Sequence, residues 1–229
     1  NEGDTTVVVD EMFREVLAAS REIHQATGGR FDPTVGILVD AWGFGPGEAM
    51  EMDSTTVDSL RQYVGLHKIT LTPGNRIRKE TPGIRLDFNA IAKGYAIDRL
   101  ALLLEQAGSE HFLVEVGGEV RTRGRQPEKG QPWRVGIDDP EASGGRRIKQ
   151  VVELEDASMA SSGNYRKFRE DPQTGRRYVH TIDPLTGFTR DSNILAVSVI
   201  APTCMVADGY ATAFMAMDLE ASRELLDNS

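Results

Sequence analysis

Helical periodicity in this chain is confined to a few stretches, and short β-patterned runs broken by Gly and Pro fill the space between them. The longest helical run, "NAIAKGYAIDRLALLLEQAG" over 89–108, offers Ile91, Ala92, Tyr95, Leu100 and Leu103 as an apolar face. "DEMFREVLAASREIHQAT" over 10–27 spaces Met12, Phe13, Val16, Leu17 and Ile23 helically, with Asp10 capping the start and Gly28–Gly29 ending it. A lone histidine on that helix, His24, reads as surface or core filler rather than a ligand. Two Pro and four Gly within 32–47 preclude a long helix there. "STTVDSLRQYVG" reads as a short helix capped by Ser54, and "HKITLT" with "RIRKE" as a hairpin about Pro73–Gly74. "GIRLDF" over 83–88 reads as a strand, and "HFLVEVGGEVRTRG" as strand, Gly117–Gly118, strand. "PWRVGIDDP", "RRIKQVVELEDASMASSG" and "RYVHTIDP" continue the β pattern. "SNILAVSVIAP" reads as a buried strand, followed by a helix, and "LEASRELLDNS" as a final helix. Few helices and meandering groups of strands predict an α+β fold with a mixed or antiparallel sheet core and flanking helices.

The totals exclude several classes. At 229 residues the chain is long enough for a real core, and 39% hydrophobic with 27% charged residues is ordinary globular usage. No apolar run approaches the roughly 18–20 residues that span a bilayer. A net charge of -9 argues against nucleic acid as a partner. One cysteine, Cys204, builds neither an intrachain disulfide nor a cysteine metal site. The glycine fingerprints of the usual nucleotide folds do not occur.

The chemistry gathers around a misplaced acid. "VIAPTCMVADGYATAFMAMD" over 199–218 is mostly apolar and small, yet Asp208 sits in its middle. Thr203 caps this helix, so Asp208 lies beyond the first turn and the helix dipole does not account for it. Thr212 is four residues on and shares its face. A bare carboxylate among Val206, Ala207, Ala211 and Phe214 needs a partner. Mg²⁺ takes few oxygen ligands completed by phosphate and water, so one reading is a Mg²⁺ site for a phosphorylated ligand. The other pairs Asp208 with Lys93 or an arginine, or with the Thr212 hydroxyl.

Further groups bear on that choice. Asp87 ends the "IRLDF" run where the "NAIAKG" helix begins, a junction at which backbone N–H groups collect anions. Gly94 lets something approach closely, and Lys93 supplies a charge suited to phosphate. His180 precedes the Asp183–Pro184 turn, as a proton-moving group or as a residue that merely hydrogen-bonds the turn. "SSGNYR" over 161–166 has an anion-contact composition, or is an ordinary polar turn.

Seven segments, in order from about Thr27 to Thr212, resemble one family. They are "TGGRFDPTVGILVDAWGFG", "LDFNAIAKGYAID", "FLVEVGGEVRTRG", "WRVGIDDP", "SMASSGNYRKF", "HTIDPLTG" and "VSVIAPTCMVADGYATA". The family is the FAD:protein FMN transferases, also called the ApbE or flavin-transferase family. The resemblance implies a T-fold-like architecture and a Mg²⁺-dependent enzyme. It would move the FMN half of FAD onto a threonine or serine hydroxyl of a target protein and release AMP. It places metal ligands on the Asp208 and Thr212 side chains and the main-chain oxygen of Ala90. Flavin contacts fall on Arg30, Phe31, Asp32, Asp87, Lys93 and Ile182, with His180 as base or orienting group. FAD and an acceptor protein are the implied partners, the acceptor a subunit of a respiratory or redox membrane protein. The implied setting is periplasmic or extracytoplasmic, with membrane attachment through an anchor ahead of this chain. Where many relatives have Gly–Gly this chain has Asn89–Ala90, and the family's N-terminal Met-Gly-Thr-type strand has no match. Residues 1–229 are therefore expected to be one flavin-transferase domain without that segment. A flavin pyrophosphatase and a non-catalytic flavin-binding protein are the alternative functions.

Overall fold

The computed structural model describes residues 4–142, 145, 147–164, 168–170, 175, 177–190 and 193–227. Its centre is a four-stranded antiparallel sheet of β4 (Phe112–Val116), β5 (Glu119–Arg123), β8 (Ser158–Gly163) and β11 (Ala196–Ala201), in the order β11-β8-β5-β4. Two helices, α4 (Ala92–Gln106) and α5 (Cys204–Met215), pack together on this sheet. Helix α1 (Glu11–Ala26) lies against α5 and closes a core of Val16, Ile23, Phe31, Ile91, Ala213 and Phe214.

A second core lies under a three-stranded sheet of β1 (Thr6–Val8), β3 (Arg76–Lys79) and β2 (Ile69–Thr72). Leu17 of α1 meets Leu66, Ile69, Ile77, Ile84 and Leu86 there. Asn75 and Gly74, both at positive φ, make the hairpin turn between β2 and β3. A third core joins α2 (Gly36–Ala41) and α3 (Ser54–Arg61) through Leu38, Trp42, Val57, Val64 and Ile182. Hairpins β6 (Trp133–Asp138) with β7 (Ile148–Leu154) and β9 (Phe168–Glu170) with β10 (Arg177–Val179), and helix α6 (Leu219–Asp227), complete the described elements. The fold is α+β, and the strands named here pair antiparallel.

Four local expectations are corrected. Asp53, not Ser54, caps α3: its carboxylate accepts from the Thr56 N–H at 2.7 Å. Residues 83–88 form no ladder; a single parallel bridge joins Arg85 to Val35, and the rest of the segment belongs to no strand. On α4 the buried positions are Gly94, Ile97 and Ala101, while Leu100 and Leu103 are exposed. Strand β11 is an edge strand, half-buried or exposed along its length, rather than a buried one. Its apolar run reflects β-branched residues suited to a pleated surface, a preference that burial need not accompany.

Candidate functional site

The starts of α4 and α5 build one wall. The two helices run antiparallel, and each supplies an acid to the other's N-terminus. Asp208, one turn into α5, accepts from the Gly94 N–H at 2.9 Å. Asp98, in the second turn of α4, accepts from the Cys204 and Met205 N–H groups at 2.9 and 2.8 Å. Helix α4 has no side-chain cap from its own flank, so Asp208 replaces it. Helix α5 is capped additionally by Thr203, as its sequence indicates. This pairing requires Gly94: a Cβ there would lie 2.3 Å from the Cys204 carbonyl oxygen.

Asp208 is 4% exposed, and burial pushes its carboxyl up to about 7. The Gly94 N–H opposes that shift, Glu119 adds to it, and Lys93 opposes it. The partner of Asp208 is thus a backbone N–H, not the side chains that the sequence offered. Its second oxygen, Oδ1, meets no hydrogen-bond donor among the described residues, and neither does the Thr212 hydroxyl beside it. Ala90, in the turn before α4, lines the same space. Among the described residues no three His, Cys, Asp or Glu side chains converge as a metal cluster. The Asp208 carboxylate and the Thr212 hydroxyl are hard-oxygen groups of the kind that could hold Mg²⁺, whose other positions are commonly left to water and phosphate.

Another part of the wall is the "RFD" loop after α1. Asp32 fixes it from within: Oδ1 accepts from the Thr34 N–H and hydroxyl at 2.8 and 2.6 Å, and Oδ2 from the Leu66 N–H at 3.0 Å. His24 Nδ1 lies 2.8 Å from the Phe31 carbonyl, which only accepts, so Nδ1 carries a proton there. His24 therefore shapes the loop rather than filling space. Arg30 donates to Asp183 Oδ2 at 2.8 Å and joins this loop to the "HTIDPLTG" turn. That turn is closed by the Gly187 N–H to Asp183 carbonyl bond and held from outside by Trp42 Nε1 on the Gly187 carbonyl. His180 directly follows β10, with its ring edge-on to Phe44 at 6.5 Å. The Asp87 N–H donates to the Pro33 carbonyl, which ties this segment to the "RFD" loop, and Asp87 Oδ1 accepts from the Asn89 N–H in the turn before α4.

Between these walls lies a cavity of about 780 Å³. Arg30, Phe31, Asp32, Asp87, Ala90, Lys93, His180, Ile182, Asp208 and Thr212 all line it. Its volume is within the range of small-molecule sites. Ser161 and Ser162 of the "SSGNYR" segment line it as well, and Ser161 shares a hydrogen bond of 2.8 Å with Ser198; Tyr165 and Arg166 lie outside the described residues. Two acids escaped the sequence reading. Glu119 lies buried beside Lys93, and Asp98 caps α5. The Gly117–Gly118 turn that aims Glu119 inward was the available signal for the first; the second had none, because capping across helices leaves no local spacing.

Comparison with known proteins places this geometry. A family model described as the ApbE family matches residues 1–229. The chain belongs to the ApbE family. An FAD:protein FMN transferase of Haemophilus influenzae is 35% identical over 231 residues, covering 99% of this chain and 66% of the relative. Another, from Vibrio cholerae, is 37% identical over 218 residues, covering 94% of this chain and 61% of the relative. The solved flavin transferase ApbE from Vibrio cholerae matches with a TM-score of 0.86 at 32% identity, over 100% of this chain and 72% of that one. The chain thus spans less than two thirds of the length of these curated ApbE relatives. Its sheet and helix pair form the ApbE architecture that the resemblance implied.

Proposed function

We propose that this ApbE chain carries the site of a Mg²⁺-dependent flavin transferase. It moves the FMN moiety of FAD to a threonine or serine hydroxyl of a target protein and releases AMP. The observation that carries the reading is the single cavity in which the open oxygen of Asp208 and the Thr212 hydroxyl share a wall with Lys93. The relatives from Haemophilus influenzae and Vibrio cholerae are FAD:protein FMN transferases, which supports the same activity.

In this reading Asp208, Thr212 and the Ala90 carbonyl hold Mg²⁺. When bound, the ion supplies charge neutralisation at the diphosphate and at the departing AMP. Lys93 adds a positive charge from the cavity wall. Buried Phe31 and Ile182 offer apolar surface to the flat ring system, while Asp32, with both oxygens engaged, keeps the loop in place. Arg30 and Asp87 complete the flavin side. A bond forms between the acceptor hydroxyl oxygen and phosphorus as the P–O bond to AMP breaks. His180 takes the hydroxyl proton or orients the group that does. Displacement at phosphorus draws chiefly on such positioning and charge neutralisation.

Residues 1–229 then act as one flavin-transferase unit on FAD and an acceptor protein, a subunit of a respiratory or redox membrane protein. The setting is extracytoplasmic, with membrane attachment supplied from outside this segment. No helix among the described residues is long and apolar enough to cross a membrane. Incubation with FAD, Mg²⁺ and a protein bearing an acceptor threonine tests the reading. A covalently labelled, yellow acceptor with AMP is the expected product. Free FMN and AMP without label would indicate a pyrophosphatase instead, and binding without products a flavin-binding protein.

A further inference from the structure

Lys93 stands near two acids and is paired with one. Its Nζ lies 2.5 Å from the buried Glu119 Oε2, an ion pair. The hydrogen bond at Asp208 comes instead from the Gly94 N–H. Glu119 is 3% exposed and is the first residue of β5, directly after the Gly117–Gly118 turn. Both turn glycines have positive φ, +62° and +102°, and a Cβ on Gly117 would sit 3.8 Å from the Lys93 Cδ and Nζ. Turn, carboxylate and lysine stem are therefore packed as one group.

The arrangement matters because Lys93 is long and only partly covered, with 43% of its side chain exposed. An ammonium is a compact charge on a flexible stem and takes whichever anion is in reach. Lys93 directly precedes Gly94, whose N–H donates to Asp208, and it lines the same cavity as Asp208. Seated at Asp208, it would stand where a hard cation has to bind, as a tethered competitor for the same oxygen. A buried acid of its own on the neighbouring strand removes that option.

We infer that Glu119 is a positioning residue that holds the Lys93 ammonium off Asp208, leaving Asp208 and Thr212 open to a divalent cation. The inference rests on the reading of Asp208 and Thr212 as cation ligands. It gives the Gly117–Gly118–Glu119 corner a task in metal binding although Glu119 itself need not touch the metal.

The test uses metal alone, without FAD or acceptor. Mn²⁺ serves as the spectroscopic stand-in for Mg²⁺, with free ion followed by electron paramagnetic resonance. The proteins are wild type, Asp208→Ala, Glu119→Gln, Lys93→Met and the Glu119→Gln/Lys93→Met double variant. Glu119→Gln is expected to weaken Mn²⁺ binding about tenfold, and the double variant to return it to about the wild-type affinity, as coupling between touching neighbours allows. Equal affinity in Glu119→Gln and wild type overturns the inference. So does an equal loss in the single and double variants, which would mean that Glu119 acts on the fold or on the metal directly. If Glu119→Gln does not fold, Glu119→Asp carries the test: the shorter carboxylate should release Lys93 in part and weaken Mn²⁺ binding, with Lys93→Met in that background restoring it, and unchanged binding or no restoration overturns the inference. Wild type that binds no Mn²⁺, or binds it no better than Asp208→Ala, overturns the cation reading itself and the inference with it.

Discussion

Asp208 carries its charge against the grain of its surroundings. Its ordinary value is 3.8, and burial, the largest cause, raises it to about 7 in the folded chain. Between those two values the folded state binds more protons than the unfolded one. The contribution of this group to stability is therefore full below about pH 4, falls as pH rises, and is lost above about pH 7. Asp208→Asn keeps an oxygen for the Gly94 N–H and removes the buried charge. With chelator present, the variant is expected to melt above wild type at pH 8, and the gap to close near pH 4; calorimetry at the two pH values checks this. His180 makes a kinetic prediction instead. His180→Ala should slow flavin transfer by about 10²–10⁴-fold, the span of general acid–base effects, while FAD affinity changes far less. Equal losses in transfer rate and FAD binding would make His180 a binding residue.

At the scale of elements, the α4–α5 contact decides the site. Gly94→Ala would push a methyl into the Cys204 carbonyl, on backbone that cannot turn aside. A loss of about 1–3 kcal/mol in denaturant unfolding is expected, with weaker Mg²⁺ binding, because the helices must part where Asp208 is held. The sequence made Gly94 legible as a place of close approach and Thr203 as a cap, since both are local signals. It misassigned the apolar face of α4, where Leu100 and Leu103 keep helical spacing yet face solvent. Periodicity reports a stripe, whereas the small residue Gly94 is what lets the neighbouring helix in. Residues 83–88 misled for a related reason: alternating side chains suit an extended chain whether or not a partner strand exists. Asp98 was illegible, because its partners lie 106 and 107 positions away.

Across the whole molecule, the cavity takes its walls from the loop after α1, the segment before α4, the start of α4, the β4–β5 turn, strands β6, β8 and β11, the turn after β10, and α5. Ligand binding should therefore steady distant parts of the chain together. Saturating FAD with Mg²⁺, at about 100 times the dissociation constant, should add about 2.7 kcal/mol to unfolding. Asp208→Ala should lose most of that gain, as thermal melts with and without ligand would show. Motifs in the right order pointed to the residues of this cavity; they did not show how much of it is held by polar ties such as Arg30 to Asp183 and Trp42 to Gly187. The exchange of caps between the two helices has its own dynamic signature. Neither start can fray without stripping an acceptor from the other, so the amide protons of Gly94, Cys204 and Met205 should trade with deuterium in step, as one opening unit.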